Sequence, residues 1–348
     1  MKNNPVPDGD KTTGSEFTQL FGGAKVVLDE TPKSVTPFGG LASFIVFLQR
    51  IGFAGEVQKT LPFAAPTSPN AIPLAHTLTA FIMGVVTGAS RFAHTDWLRG
   101  DRALHAVLGI ARFPGTDTVR HFFLRFTQCH IQAFWRPLWK WLLSLLSCPG
   151  GGFHLDLDST VFQRSGGQEG AARGYNPRRP GRNSHHPLLA VLAEAPFILH
   201  GWLRSGNAGA ARGAAPFLRE YNGRATVEQR IEELKNDLAA DGFCLQQFYG
   251  TEAAFLAVLF TFNLLSLYQH MTTPQEPYRQ PATLRAQVFV AGAILARAGK
   301  QLALRLSQAW GGLAKHKPLL EAVLQWPKLT SPKLAHPQNR MAAGGGFV

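Results

Sequence analysis

Cys148-Pro149-Gly150-Gly151-Gly152-Phe153-His154-Leu155-Asp156-Leu157-Asp158-Ser159-Thr160 is the stretch on which the fold turns. Its first five residues interrupt any regular element and mark a boundary. Beyond them Phe153, Leu155 and Leu157 alternate with His154, Asp156 and Asp158. A period of two predicts a β-strand, here with its acids on one face.

Upstream of that boundary the apolar spacing is helical. Leu41, Phe44, Ile45 and Leu48 share one helix face, and Leu74, Leu78, Phe81 and Val85 share another. Pro114-Gly115-Thr116-Asp117-Thr118 is a breaker followed by a cap, opening a helix that carries Val119, Phe122, Phe123 and Phe126. Arg120, His121 and Arg125 lie among those residues. A groove-reading helix and a packed, solvated one account for them equally well. Phe134, Trp135, Trp139 and Trp141 read most simply as core filling.

Downstream, a loop rich in Gly, Pro and Arg is expected over Gln163–His186, then strands over Pro187–Leu192 and Phe197–Leu203. Ala208–Glu220 reads as a helix weakened by Gly209, Gly213 and Pro216. Ala253–Tyr268, broken by Thr261, Asn263 and Ser266, reads as a buried core helix shorter than the roughly 18–20 residues a membrane span needs. Leu284–Leu306 is also expected to be helical. The chain thus divides into a disordered arm (1–36), a helical domain (37–148), an α/β core (149–270), a helical C-terminal region (271–325) and a frayed tail (326–348).

Composition narrows the partners. A net charge of +13 over 348 residues points to an acidic polymer or surface. Between Arg164 and Arg224 stand nine Arg, no Lys and three Glu. Arg forks suit phosphate oxygens, although a solvated loop has the same composition. Cys129, Cys148 and Cys244 are widely spaced and odd in number, which argues against a disulfide framework or a zinc site. Met1–Phe17 has no apolar core of a signal peptide, so a cytoplasmic protein is expected.

One further helix carries chemistry. Taking Tyr221 as zero at about 100° per residue, Arg224 falls near −60°, Glu228 near −20° and Lys235 near −40°. A phenol, two cations and a carboxylate therefore share one stripe, beside an apolar arc of Val227, Ile231, Leu234 and Leu238. An Arg224–Glu228 ion pair on an amphipathic helix explains the same spacing, at a few tenths of a kcal/mol.

The ordered set His154-Leu155-Asp156-Leu157-Asp158-Ser159-Thr160-Val161, Gln168-Glu169-Gly170, Gly174-Tyr175-Asn176-Pro177, His186-Pro187-Leu188-Leu189 and the Tyr–Arg–Glu–Lys helix resembles the DDE transposases of bacterial insertion sequences, in the insertion sequence 1380 group. The likeness runs from about Thr36 to about Ser307 and includes Asn263-Leu264-Leu265. It implies an RNase H-like core with a mixed sheet, two Mg²⁺ ions, and DNA bearing terminal inverted repeats as partner, with a homodimer admitted. On the residues that match, Asp158 would be the first metal-ligating Asp, with Asp156 its neighbouring candidate, and Glu228 the metal-ligating Glu. Tyr221, Arg224 and Lys235 would hold phosphates near the cleaved end. Arg178, Arg179 and Arg182 from the Arg-rich loop join them as expected DNA contacts.

The chain departs from that pattern in one place. No Asp stands between Asp158 and Glu228, 70 positions apart (228 − 158), so the strand carrying the second catalytic Asp is missing. The expectation is an internally deleted transposase unable to complete its triad. The alternative is a remnant that binds DNA or dimerises and occupies transposon ends without cutting. A substitute acid from Glu169, Glu194 or Glu220 is the least favoured option. The loss would also leave the first strand's flank as an open sheet edge.

Overall fold

The computed structural model describes residues 15–146, 153–193, 195–209 and 225–326. Three short strands come first: β1 (Ser15–Thr18), β2 (Lys25–Leu28) and β3 (Ser34–Thr36). Helices α1 (Leu41–Arg50), α2 (Phe53–Thr60), α3 (Leu74–Thr87), α4 (Arg102–Leu108), α5 (Thr116–Leu124) and α6 (Gln128–Leu143) follow. The anticipated helix faces are the buried ones. Leu41, Phe44, Leu78, Phe81, Val119 and Phe123 are each fully excluded from solvent, as is Phe134. Arg120, His121 and Arg125 lie on the exposed side of their helix.

The middle of the chain holds two small sheets. β4 (Leu155–Ser159), β8 (Leu188–Leu192) and β9 (Phe197–Trp202) form an antiparallel meander in the order β4-β8-β9. β5 (Phe162–Gln163), β6 (Ala172–Arg173) and β7 (Asn183–His185) form the second, in the order β5-β7-β6. The segment expected to be an unstructured loop thus contains three strands. They are too short for a period of two to register in the sequence. The expected mixed sheet is not found: every strand pair among the described residues is antiparallel. β4 is an edge strand.

α7 (Ala225–Asn236) packs on β4, and α8 (Phe248–Thr272) fills the centre of the protein. α8 touches α3, α5, α6, α7, β9 and the C-terminal helix α10 (Gly312–Gln325). Its 25 residues exceed the stretch expected from sequence and suffice in length and composition to cross a membrane, yet the apolar window is wholly buried inside the protein. A helix apolar on every side has this central position as its natural place. The expected helix over Leu284–Leu306 is a correction. Only α9 (Pro281–Leu284) and a wide turn, Arg285–Phe289, precede the hairpin β10 (Ala293–Ala298) and β11 (Gln301–Leu306). Ala, Leu and Arg favour helix intrinsically. Here Gly299, at φ 61°, begins a two-residue hairpin turn, and β3 pairs with β10 from far upstream. That pairing also corrects the disordered arm, because residues 15–36 include three strands.

The side chain of Asn263 joins helix α8 to the meander at one residue, Ile198. β9 carries a register irregularity opposite Ala190/Val191, beside Ile198. There the Ile198 N–H donates to Asn263 Oδ1 at 2.8 Å and the Ile198 carbonyl accepts from Asn263 Nδ2 at 2.8 Å. Trp139 Nε1 of α6 donates to the same carbonyl at 2.9 Å. Asn263 is fully buried, so each of these bonds is made where no water can replace it. Gly201 lets the layers approach this closely, since a Cβ there would lie 2.3 Å from Leu259 of α8.

Asn263→Leu is expected to lower the unfolding free energy by about 2–4 kcal/mol, because it strands a buried N–H. Trp139→Phe, which leaves the carbonyl its Asn263 bond, should cost nearer 1 kcal/mol. Urea titrations followed by tryptophan fluorescence and circular dichroism measure both. An Asn263→Leu midpoint equal to that of the parent would show that the clamp contributes nothing.

Candidate functional site

Alternation along β4 places Asp156 opposite Val191 and Asp158 opposite Leu189. Asp156 is almost fully buried, while Asp158 is partly accessible near the strand's end. The Ser159 N–H donates to Asp158 Oδ1 at 2.7 Å. Burial raises the Asp158 carboxyl above its usual range, and the negative charges of Glu228 and Asp156 push the same way. The Ser159 bond and His186 oppose that rise. Asp156 of the same strand, His186 just before β8 and Glu228 of α7 therefore each act on Asp158. Glu228 reaches this cluster from the exposed first turn of α7.

Lys235 sits two turns farther along α7 and donates to the Val161 carbonyl at 3.4 Å. Burial lowers its ammonium pKa, Asp241 opposes that effect, and Arg178 adds repulsion. A lysine and an arginine are thus held near each other, with Asp241 as the acid that acts on the lysine. Arg178, Arg179 and Arg182 are all exposed on the loop between β6 and β7. Tyr221 and Arg224 lie outside the described residues, as do Glu194, Glu220 and nearly all of the helix expected over Ala208–Glu220. Half of the anticipated stripe, Glu228 and Lys235, is seen.

Several residues of the sequence motifs have structural work that spacing alone did not reveal. Glu169 Oε2 accepts the Phe248 N–H at 2.8 Å at the start of α8, so it caps a helix and is committed away from the acids. Gly174 passes so near the following segment that a Cβ would lie 1.8 Å from the Gly206 carbonyl oxygen. Asn176 Oδ1 accepts the Arg179 N–H at 3.1 Å and shapes the turn that displays the arginines. Arg204 Nε donates to the His186 carbonyl at 2.9 Å, fixing the start of β8.

The donor set bears on metal binding. Among the described residues, no group of three His, Cys, Asp or Glu side chains converges closely enough to hold an ion. Asp158 and Glu228 form a pair, whereas two ions about 3.5–4 Å apart need further bridging carboxylates. The residues present do not fit a two-ion cluster.

Three buried groups escaped the sequence reading. Glu233 of α7 is nearly inaccessible, binds Arg230 at 2.8 Å and accepts from Tyr278 Oη at 3.1 Å. Its pKa is nonetheless raised, chiefly by burial. Arg164 donates from Nε to His185 Nδ1 at 2.9 Å. Glu252, in the first turns of α8, borders a cavity of about 720 Å³ walled by Trp135, Trp139, Trp202 and Tyr249. Burial pushes its carboxyl up to about 7, against the lowering effect of the Leu203 N–H. All three groups are completed by partners distant in sequence. A buried acid on an apolar helix was the available signal for Glu252 alone.

No family model matches the chain, and none of the characterised proteins or solved structures compared with it gave a match.

Glu252 generates a pH prediction. Its folded-state pKa lies above the unfolded value, so folding takes up a proton between about 4.5 and about 7. Stability should therefore fall as pH rises through that window, by at most about 2–3 kcal/mol. Glu252→Gln keeps an acceptor for Leu203 and is expected to raise the urea midpoint at pH 8 while leaving it near the parent value at pH 5. A parallel pH dependence in variant and parent would rule out this carboxyl as the source.

Proposed function

We propose that this chain is a transposase-type DNA-binding protein that holds DNA ends without a complete set of catalytic carboxylates. The observation that carries the reading is the charge of Glu228 on α7 acting on Asp158 of β4, the strand on which α7 packs, with Lys235 two turns farther along the same helix and within the field of Arg178. An antiparallel three-strand meander, an acid on its first strand, and a helix bringing a second acid against that strand are the expected opening and closing parts of an RNase H-like core. On this reading an intervening strand has been lost, and β4 being an edge strand among the described residues is consistent with that loss. A buried core shared by α1 through α10 favours a folded binding remnant over a decayed copy unable to fold.

In this reading Lys235, Arg178, Arg179 and Arg182 neutralise backbone phosphates. The carboxylates of Asp158 and Glu228 are inherited. They suffice for a single Mg²⁺ with water and phosphate oxygens completing its shell, and no cleavage step is assigned to them. The net charge of +13 supports long-range attraction to DNA, which weakens as salt rises.

Fluorescence anisotropy with labelled duplexes over 50–200 mM salt tests the binding. Lys235→Ala combined with Arg178→Ala is expected to weaken affinity and to reduce the salt slope by about 0.9 for each phosphate no longer neutralised. Sequence selection from a random pool then identifies the preferred end. Glu228→Ala should leave affinity intact, and the parent should show no Mg²⁺-dependent nicking. Robust nicking abolished by Glu228→Ala would refute the non-cutting reading. Salt-insensitive or absent DNA binding would refute the DNA reading itself.

A further inference from the structure

The small sheet β5-β7-β6 builds a feature that the acid cluster does not use. Its cleft, of about 340 Å³, is lined by Gln163, Arg164, Arg173, Arg179, Arg182 and Asn183. The strand register brings the arginines together. Arg173 lies directly opposite Asn183, and the Arg164 N–H donates to the Asn183 carbonyl at 2.8 Å. Arg179 and Arg182 close the turn leading into β7. Like charges gathered across a sheet destabilise it, so four guanidinium groups around one cleft need an opposing charge.

The described residues that line the cleft supply none. No Asp or Glu lines the cleft, and the Arg173, Arg179 and Arg182 side chains make no hydrogen bond or ion pair with any described residue. Arg164 is more unusual, because it is only 6% exposed and makes no ion pair with a described carboxylate, the nearest acidic influence being the field of Asp241. Its guanidinium is held by neutral groups: Nε donates to His185 Nδ1, and Nη1 donates to the Asp241 carbonyl at 2.6 Å. His185 pairs its other nitrogen, Nε2, with the Glu169 carbonyl at 2.9 Å, which sets the tautomer that accepts from Arg164. Burial keeps this imidazole neutral, with its pKa lowered to about 4. Burial lowers the Arg164 pKa, and the charges of Cys244 and Asp241 oppose that effect while Arg91 adds to it, so holding the guanidinium here carries a desolvation cost that only neighbouring charge offsets. Bound anion removes that cost, and forked guanidinium groups match tetrahedral oxyanions.

We propose that Arg164, Arg173, Arg179 and Arg182 form a phosphate-binding cleft, in which Arg164 is the preoriented anchor and the other three close on the anion. The cleft extends the basic surface away from the acids, since Arg179 directly follows Arg178, whose charge acts on Lys235. Its occupant is a phosphoryl group, delivered by a nucleic-acid backbone or by a free phosphate or pyrophosphate. The backbone source rests on the DNA reading above, whereas the cleft itself does not.

The test is calorimetric titration of the full chain with inorganic pyrophosphate at low salt, alongside anisotropy with a short duplex. Arg173→Ala/Arg182→Ala alters only exposed side chains, so folding is preserved, and Arg297→Ala on the β10–β11 hairpin serves as the control. Expected are one-to-one pyrophosphate binding, weakened at least tenfold by the double variant and unchanged by the control. DNA affinity should fall with it, the salt slope dropping by about 1.8 when two phosphates go unneutralised. Pyrophosphate binding without any DNA binding upholds the cleft as a free-oxyanion site and removes the DNA reading. A fall in DNA affinity without pyrophosphate binding upholds it as a site for backbone phosphate. The proposal is overturned if pyrophosphate fails to bind and the double variant grips DNA as tightly as the parent.

Discussion

The peptide of Ile198, gripped from both sides by Asn263 and from a third direction by Trp139, is the constraint on which the architecture rests. α8 is apolar all round and has no face of its own to orient it. Burying it satisfies the hydrophobic effect but leaves its rotation and its depth against the sheet undetermined. A buried amide that both donates and accepts settles that ambiguity, because any slip along or around the helix strands polar atoms away from water. The motif Asn263-Leu264-Leu265, which the sequence offers only as part of a resemblance, thereby acquires a physical role.

With α8 held against β9, the sheet and the helices around it have fixed places. β4 lies at one edge of the meander among the described strands, α7 packs across it, and α7 brings Glu228 into the field of Asp158 and Lys235 into the field of Arg178. The arrangement is not a stability device. Asp158 is desolvated and pushed by like charge, and Lys235 is repelled by Arg178. Groups kept near each other against their mutual repulsion fit a surface that meets a charged ligand. The arginine cleft beside them repeats the principle with one sign of charge.

Much of this was legible beforehand. The helix faces of α1, α3 and α5 follow from period because burial on one side imposes it, β8 and β9 from short apolar runs, and β4 from its alternation, although there the buried residue is Asp156 and not its leucine neighbours. Other parts were illegible for definable reasons. β5, β6 and β7 are two or three residues long and owe their pairing to one another. β10 and β11 consist largely of helix-favouring residues, and only Gly299 and the distant β3 turn them into sheet. Glu233 looked like one more surface acid on α7 until Tyr278, 45 residues away, covered it.

The amino-acid sequence by itself determined which residues must be hidden, where most strands give way to helices, and that the chain carries an excess of positive charge. These are local or additive properties, readable from period and composition. The tertiary structure alone decided which acids share a field, which arginines line one cleft, and which buried polar groups find partners. Those outcomes depend on contacts between residues tens to hundreds of positions apart, and no local pattern specifies which distant side chain will complete a buried charge or hydrogen bond.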